Sequence, residues 1–197
     1  MPRLFLKLAL MGVLVFTGCV VLIPARGYDA SATHALFAPP GCPAPCLLGI
    51  RPGQTTLYEA LKLLDDHPWV GGATIYRDSG GQARNLTWDW NGRQPTVFAD
   101  SGVAEIREDI ITTITLRTGV PFAEIWLAFG QPLDGSVRPP FHWADYPLFD
   151  VATVATCGQF WLARAEVIIE EAASGEVDQA QSRYDLAAIR RGFCEAR

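Results

Sequence analysis

Residues 42–64, CPAPCLLGIRPGQTTLYEALKLL, set two cysteines laced with prolines before a Pro-Gly corner and an amphipathic run. Thr56 followed by Glu59 forms a capping box, in which the hydroxyl accepts from the third helical amide and the carboxylate reaches back. Leu57, Ala60, Leu61 and Leu64 then recur at helical spacing. His67-Pro68 ends the run, because the residue before a proline avoids the α region. One short helix over about Leu57 to Asp66 is predicted.

The pattern begins again at LRTGVPFAEIWLAFGQP, residues 116–132, where an apolar residue, an arginine, one residue and a glycine repeat the order of Ile50 to Gly53. The two corners stand 66 residues apart, from Ile50 to Leu116. Pro121 suits the first helical position and Gly130 the position past the end, with Phe122, Ile125, Trp126 and Phe129 as the buried stripe. A second short helix is therefore expected.

Between the helices the spacing changes to that of strands. Ala73 to Arg77 runs into Ser79-Gly80-Gly81, Arg84 to Trp90 into Asn91-Gly92, and Thr96 to Asp100 into Ser101-Gly102. Asn-Gly between alternating segments predicts a type I′ hairpin. Val103 to Leu116 reads as one long strand with Ile110, Thr112, Ile114 and Leu116 on one face. After the second helix, Pro147 to Cys157 and Gln159 to Glu170 again read as β, with Trp161, Ala163, Ala165, Val167 and Ile169 sharing a face. A closing helix is expected from about Val177 to Phe193. The fold class is α+β, a tandem repeat of a short helix plus an antiparallel β-meander, with an N-terminal membrane segment and a C-terminal helix. The boundaries are 1–26 for a signal or anchor segment, 27–41 for a tether, 42–115 for the first module and 116–197 for the second.

The chain has 197 residues, 49% hydrophobic and 19% charged, enough to bury a core. Arg3 and Lys7 precede an uncharged run from Leu8 to Ala25, closed by Arg26, which marks a targeting segment. The run has about the length at which a secretory signal becomes able to span a bilayer. Three fates fit it: retention as an anchor, lipidation at Cys19 within a lipobox-like Phe16-Thr17-Gly18-Cys19, or cleavage after Ala30-Ser31-Ala32. Each puts residues 33–197 outside the cytoplasm, membrane-anchored or secreted. Without residues 1–26 the formal charge goes from −5 to −8, so no basic nucleic-acid footprint is present.

Setting Cys19 aside leaves Cys42, Cys46, Cys157 and Cys194, an even number that in an exported chain favours two disulfides. Of three connectivities, Cys42–Cys46 with Cys157–Cys194 is preferred, since a proline-rich three-residue separation can fold back on itself. Zinc wants paired short-spaced clusters, and one such pair exists, while His34, His67 and His142 lack ligand spacing. A thioredoxin-type site needs two intervening residues at a helix N-terminus, and here three intervene.

The Gly49 to Thr56 corner leading into Glu59-Ala60, and its echo ending Ala128-Phe129-Gly130-Gln131-Pro132, resemble the helix-entry and helix-exit motifs of SmpA/OmlA-like (BamE-like) envelope modules. They are also similar to those of the tandem β-lactamase-inhibitory-protein fold. The Cys-Pro-Cys corner before GIRPG resembles uncharacterised exported proteins of Chloroflexota-type bacteria. The resemblance covers residues 46–170 and implies two helix-plus-sheet modules that bind proteins rather than catalyse. Those modules carry a helix pair, whereas one helix per repeat is legible here.

Other constellations divide between chemistry and packing. In PPFHWADYP, His142 with Asp145 suggests acid/base work by an exported hydrolase at the 141–147 loop, but no serine or cysteine stands in a strained elbow beside them. Glu105, Glu108 and Asp109 with Glu166, Glu170 and Glu171 offer carboxylates of the kind glycoside hydrolysis uses, yet strand alternation puts several on solvated faces. Trp88 and Trp90 share a strand face, which suits either a stacking platform or a core. Asn85-Leu86-Thr87 matches a glycosylation sequon. No catalytic, cofactor-binding or metal-binding residue is assigned, and no cofactor is implied. The expected function is a membrane-tethered extracytoplasmic module binding another envelope protein, with Trp88, Trp90, His142, Trp143 and Tyr146 as candidate partner-binding residues.

Overall fold

The structure is a computed structural model, and it describes residues 11–13, 17, 31, 33–34, 41–42, 45–155, 159–170 and 184–195. Helix α1 (Leu57–Asp65) starts at the capping box: Thr56 Oγ1 accepts from the Glu59 amide at 3.3 Å, and Glu59 Oε2 accepts from the Thr56 amide at 3.0 Å. Four strands follow, β1 (Val70–Arg77), β2 (Ala83–Trp90), β3 (Phe98–Arg107) and β4 (Ile110–Pro121). Helix α2 (Phe122–Phe129) opens on Pro121 and ends at Gly130, whose φ of 80° is one that glycine adopts without strain. Four more strands, β5 (Asp134–Arg138), β6 (Phe141–Asp145), β7 (Asp150–Val154) and β8 (Arg164–Glu170), precede helix α3 (Leu186–Glu195).

All eight strands form one sheet in the order β1-β2-β3-β4-β8-β7-β6-β5, with every neighbouring pair antiparallel. The α+β class is thus as expected. Each half is a meander, and the last strands of the two halves pair at the centre. The residue proposed as the start of the second module, Leu116, lies within β4. Helix entry is built alike in both halves. The Leu57 amide donates to the carbonyl of Asp109, just before β4, at 2.8 Å, and the Phe122 amide donates to that of Ala163, just before β8, at 3.0 Å.

Strand alternation puts Leu86, Trp88, Ala104, Ile114, Leu116, Val151, Val167 and Ile169 on one face, where they are buried against Leu57, Ala60 and Leu64 of α1, Phe122 and Ile125 of α2, and Ile189 of α3. At about 1.5–3 kcal/mol for each large apolar side chain, this shared core dominates stability. The opposite face carries the exposed and half-buried set.

Several local expectations are corrected. The long strand from Val103 to Leu116 is a hairpin, because Glu108 and Asp109 both take positive φ (51° and 63°) in a two-residue turn of I′ sign. The register also slips between Glu105 and Ile106, so Thr112 is an extra residue and Ile111, not Ile110, enters the core. Ser101-Gly102 lies inside β3, and Gly102 is required by the Trp88 indole resting on it. Asn91-Gly92 does not close a two-residue hairpin. Residues 91–97 separate β2 from β3, and the Asn91 amide nitrogen donates to the carbonyls of Pro68 and Val70, tying down the start of β1. Trp161 sits in a 3-10 turn, Phe160–Leu162, and β8 starts after it.

Cys42 and Cys46 are bonded, with Cα atoms 6.1 Å apart. Cys194 is disulfide-bonded, while its preferred partner Cys157, the lipidation candidate Cys19 and the expected start of the last helix at Val177 lie outside the described residues. Within the stretch read as a tether, Thr33 is buried and His34 packs on Phe129 with ring centroids 4.5 Å apart. No helix among the described residues is long and apolar enough to cross a membrane.

Candidate functional site: the open face of the sheet

The hairpin β5–β6 carries the most distinctive part of the open face. Cross-strand register arranges that face in rows. The first row places Asp134 opposite Asp145, Asp145 opposite Asp150, and Asp150 opposite Ile168. A second row runs Ser136, Trp143, Ala152, Glu166 and Arg117. A third runs Arg138, Phe141 and Val154, with Arg164 alongside on β8. The first and third rows lie four residues apart along the strands, about 13 Å.

In the aromatic strip Phe141 is 44% and Val154 63% accessible, Trp143 is half-buried, and the Phe141 and Trp143 rings lie 5.6 Å apart. A cavity of about 670 Å³ opens beside it, between this strip and Asp100, Arg117, Arg164 and Glu166. Arg117 reaches Glu166 at 3.6 Å and Asp100 at 4.0 Å, both as exposed ion pairs. Like charges directly opposite on a sheet oppose folding. Burial, then the charges of Asp145 and Glu170, push the Asp150 carboxyl up to about 6. Burial and Asp134 raise Asp145 as well.

The candidate residues separate. Trp88 is core, 1% accessible, and its indole nitrogen is buried without a hydrogen-bond partner among the described residues. Trp90 is half-buried, stacks on Phe98 at 5.0 Å and donates its indole N–H to the Asp100 carbonyl. The Trp88–Trp90 pair is therefore part of the packing, not a surface platform, since their face is the one the helices cover. His142 is buried on the same side, its Nε2 2.8 Å from the Tyr184 hydroxyl and its Nδ1 3.3 Å from Thr153 Oγ1. Phe122 and Phe160 flank its ring, and burial holds it down at about 4. Tyr146 is 6% accessible and stacks on Phe149. Of the five candidates, only Trp143 faces the open side.

The hydrolase reading loses its geometry here. PPFHWADYP is not a loop around converging groups: His142 and Asp145 are three apart in a strand, so they point to opposite faces. Glu105, Glu166 and Glu170 lie on the open face, Glu108 and Asp109 form the β3–β4 turn, and Glu171 lies outside the described residues. No group of three metal-ligating side chains is found among the described residues. Sequence reasoning missed Phe141, Arg138, Arg164, Asp134 and Asp150. The available signal was alternation on both sides of Pro139-Pro140, read instead as a proline-rich loop. Comparison with protein-family models, curated proteins and solved structures gave no match.

Proposed function

We propose that this chain is a membrane-tethered extracytoplasmic protein-binding module, without catalytic activity, whose open sheet face receives a convex element of another envelope protein. The observation that carries the reading is the apolar strip of exposed Phe141 and Val154 with half-buried Trp143, with Arg138 and Arg164 beside Phe141 and Val154 and the aspartate row on the far side of Trp143. Aromatic anchors ringed by polar groups are what protein interfaces concentrate. The fitting partner presents an apolar stripe with acidic groups over Arg138 and Arg164 and basic groups over the aspartates.

The module is read as a duplicated helix-plus-meander unit of the SmpA/OmlA-like or β-lactamase-inhibitory-protein-like type. The mirrored strand order and the matched helix-entry bonds of Leu57 and Phe122 support this. In that reading residues 1–26 hold the module at the membrane.

The test places a photo-crosslinking residue at Phe141, and at Thr87 as a control, in the whole chain in intact membranes. A single adduct is expected at 141 and not at 87, lost on Trp143→Ala and on joint reversal of Arg138 and Asp145. Equal adducts at both positions, or an adduct indifferent to those changes, would overturn the reading.

A further inference from the structure

The two edges of the sheet are treated differently. At one edge β5 is five residues long, begins with Asp134, ends with Arg138 and runs into Pro139-Pro140. It is also backed by α3, where Gly192 stands against Val137 so closely that an added Cβ would lie 2.4 Å from its Cγ1. Shortness, charge, proline and cover are the devices by which sheets avoid edge pairing.

The other edge has few of them. β1 is eight residues long, VGGATIYR, with no charge before Arg77 and no proline. Its register with β2 is regular from Gly72 to Tyr76, and Gly71 to Thr74 are all exposed. Beside it a groove of about 410 Å³ runs between the strand and α1, lined by Tyr58, Leu61, Lys62, Asp65, Gly72 and Ala73. An added Cβ at Gly72 would meet nothing within 4 Å, so the groove has room for side chains of an added strand.

The charge beside this edge selects the occupant. Asp65 and Asp66 are exposed at the C-terminal end of α1, where the helix already presents a partial negative charge and cations are favoured. Neither takes part in an ion pair among the described residues.

We propose that the free edge of β1 docks an extended, cationic segment of a partner polypeptide, which adds as a ninth strand. Backbone hydrogen bonds to β1 supply the pairing, alternate side chains enter the groove under α1, and a lysine or arginine sits over Asp65 and Asp66. This surface lies at the far end of the sheet from the aromatic strip and stands without it.

The probes are two fluorescent peptides of alternating valine and threonine, one ending in two lysines and its twin in two glutamates. Each is titrated by anisotropy against the whole chain at low salt. The lysine peptide binds about fivefold more tightly, as two exposed charge pairs allow, and Asp65→Lys with Asp66→Lys inverts the preference. Alternate strand residues aim their N–H outward, so one of Ala73→Pro and Thr74→Pro keeps the fold and loses the peptide. Amide exchange across residues 70–77 of the unaltered chain slows when the lysine peptide is present, a readout that does not need the proline variants. Equal affinity for the twins, no binding of either, or unchanged exchange in β1 overturns the proposal. So does self-association of the chain that a folded proline variant abolishes, because the occupant would then be a second copy.

Discussion

Replacing Gly102 by alanine tests the packing at the centre of the first half. A Cβ at this position would lie 2.0 Å from Cζ2 and 2.2 Å from Cε2 of Trp88, far inside contact distance. The indole has little room to yield, since it is 1% accessible and its edge meets Trp90 at an interplanar angle of 85°. Forcing a methyl into a filled core costs about 1–3 kcal/mol. For a chain of this size each kcal/mol is worth about 2–4 °C, so the midpoint should fall by roughly 2–12 °C. The assay is thermal and urea unfolding followed by tryptophan fluorescence. Gly72→Ala is the control, because its Cβ meets nothing within 4 Å and its effect should stay within about 0.5 kcal/mol. Trp88→Phe in the Gly102→Ala background should recover part of the loss, since the smaller ring vacates the position the methyl needs. Equal stability of Gly102→Ala and Gly72→Ala would refute the close approach of Trp88 to β3.

Other side chains lead to further expected outcomes. Asp150→Asn should stabilise the protein at pH 7–8 but not near pH 4: the folded carboxyl titrates at about 6 against about 4 unfolded, so the penalty appears as pH rises between these values. His142 acts in the other direction: held at about 4 when folded and about 6.5 unfolded, it favours folding above the upper value and loses that contribution as pH falls to the lower. His142→Gln should therefore flatten the pH 4–6.5 slope of stability measured by denaturant, whatever its effect on absolute stability. Cys42→Ser with Cys46→Ser should lower unfolding stability by about 2 kcal/mol, the entropic value for so short a loop, and unchanged melting would contradict that role. Thr56→Ala removes the hydroxyl that accepts from Glu59 and should cost about 1 kcal/mol in the same unfolding assay.

Helices α1 and α2 were legible because each carries local signals: a capping box at Thr56, and Pro121 and Gly130 around an apolar stripe. The alternation of β2 and β8 was legible for the same reason. What escaped were features set by strand pairing or by partners distant in sequence. Glu108 and Asp109 are not turn-forming glycines, yet the pairing of β3 with β4 holds both at positive φ. Asn91-Gly92 reads as a tight hairpin until the Asn91 side chain finds Pro68 and Val70. At the candidate site, Trp143 was identifiable as a side chain of the open face, but His142 was not identifiable as core. Its burial depends on Tyr184, 42 residues away.

The two halves of the open face differ in a way that bears on function. In the first half, Thr74, Thr87, Val103 and Thr115 stand in one cross-strand row, and threonine and valine are residues a half-exposed sheet takes for its own sake. In the second half the continuation of that row is Ile168, Asp150, Asp145 and Asp134. Neither three aspartates in register nor an exposed phenylalanine beside a tryptophan improves the fold: the carboxylates repel, and the rings leave apolar surface in water. Threonines would serve the sheet better at the same positions, as they do in the first half of the row. Local choices that conflict with the fold concentrate where a protein meets something else. That asymmetry, within one continuous sheet, is why the proposed binding surface is sought on β5–β8 and not at the tryptophans of β2.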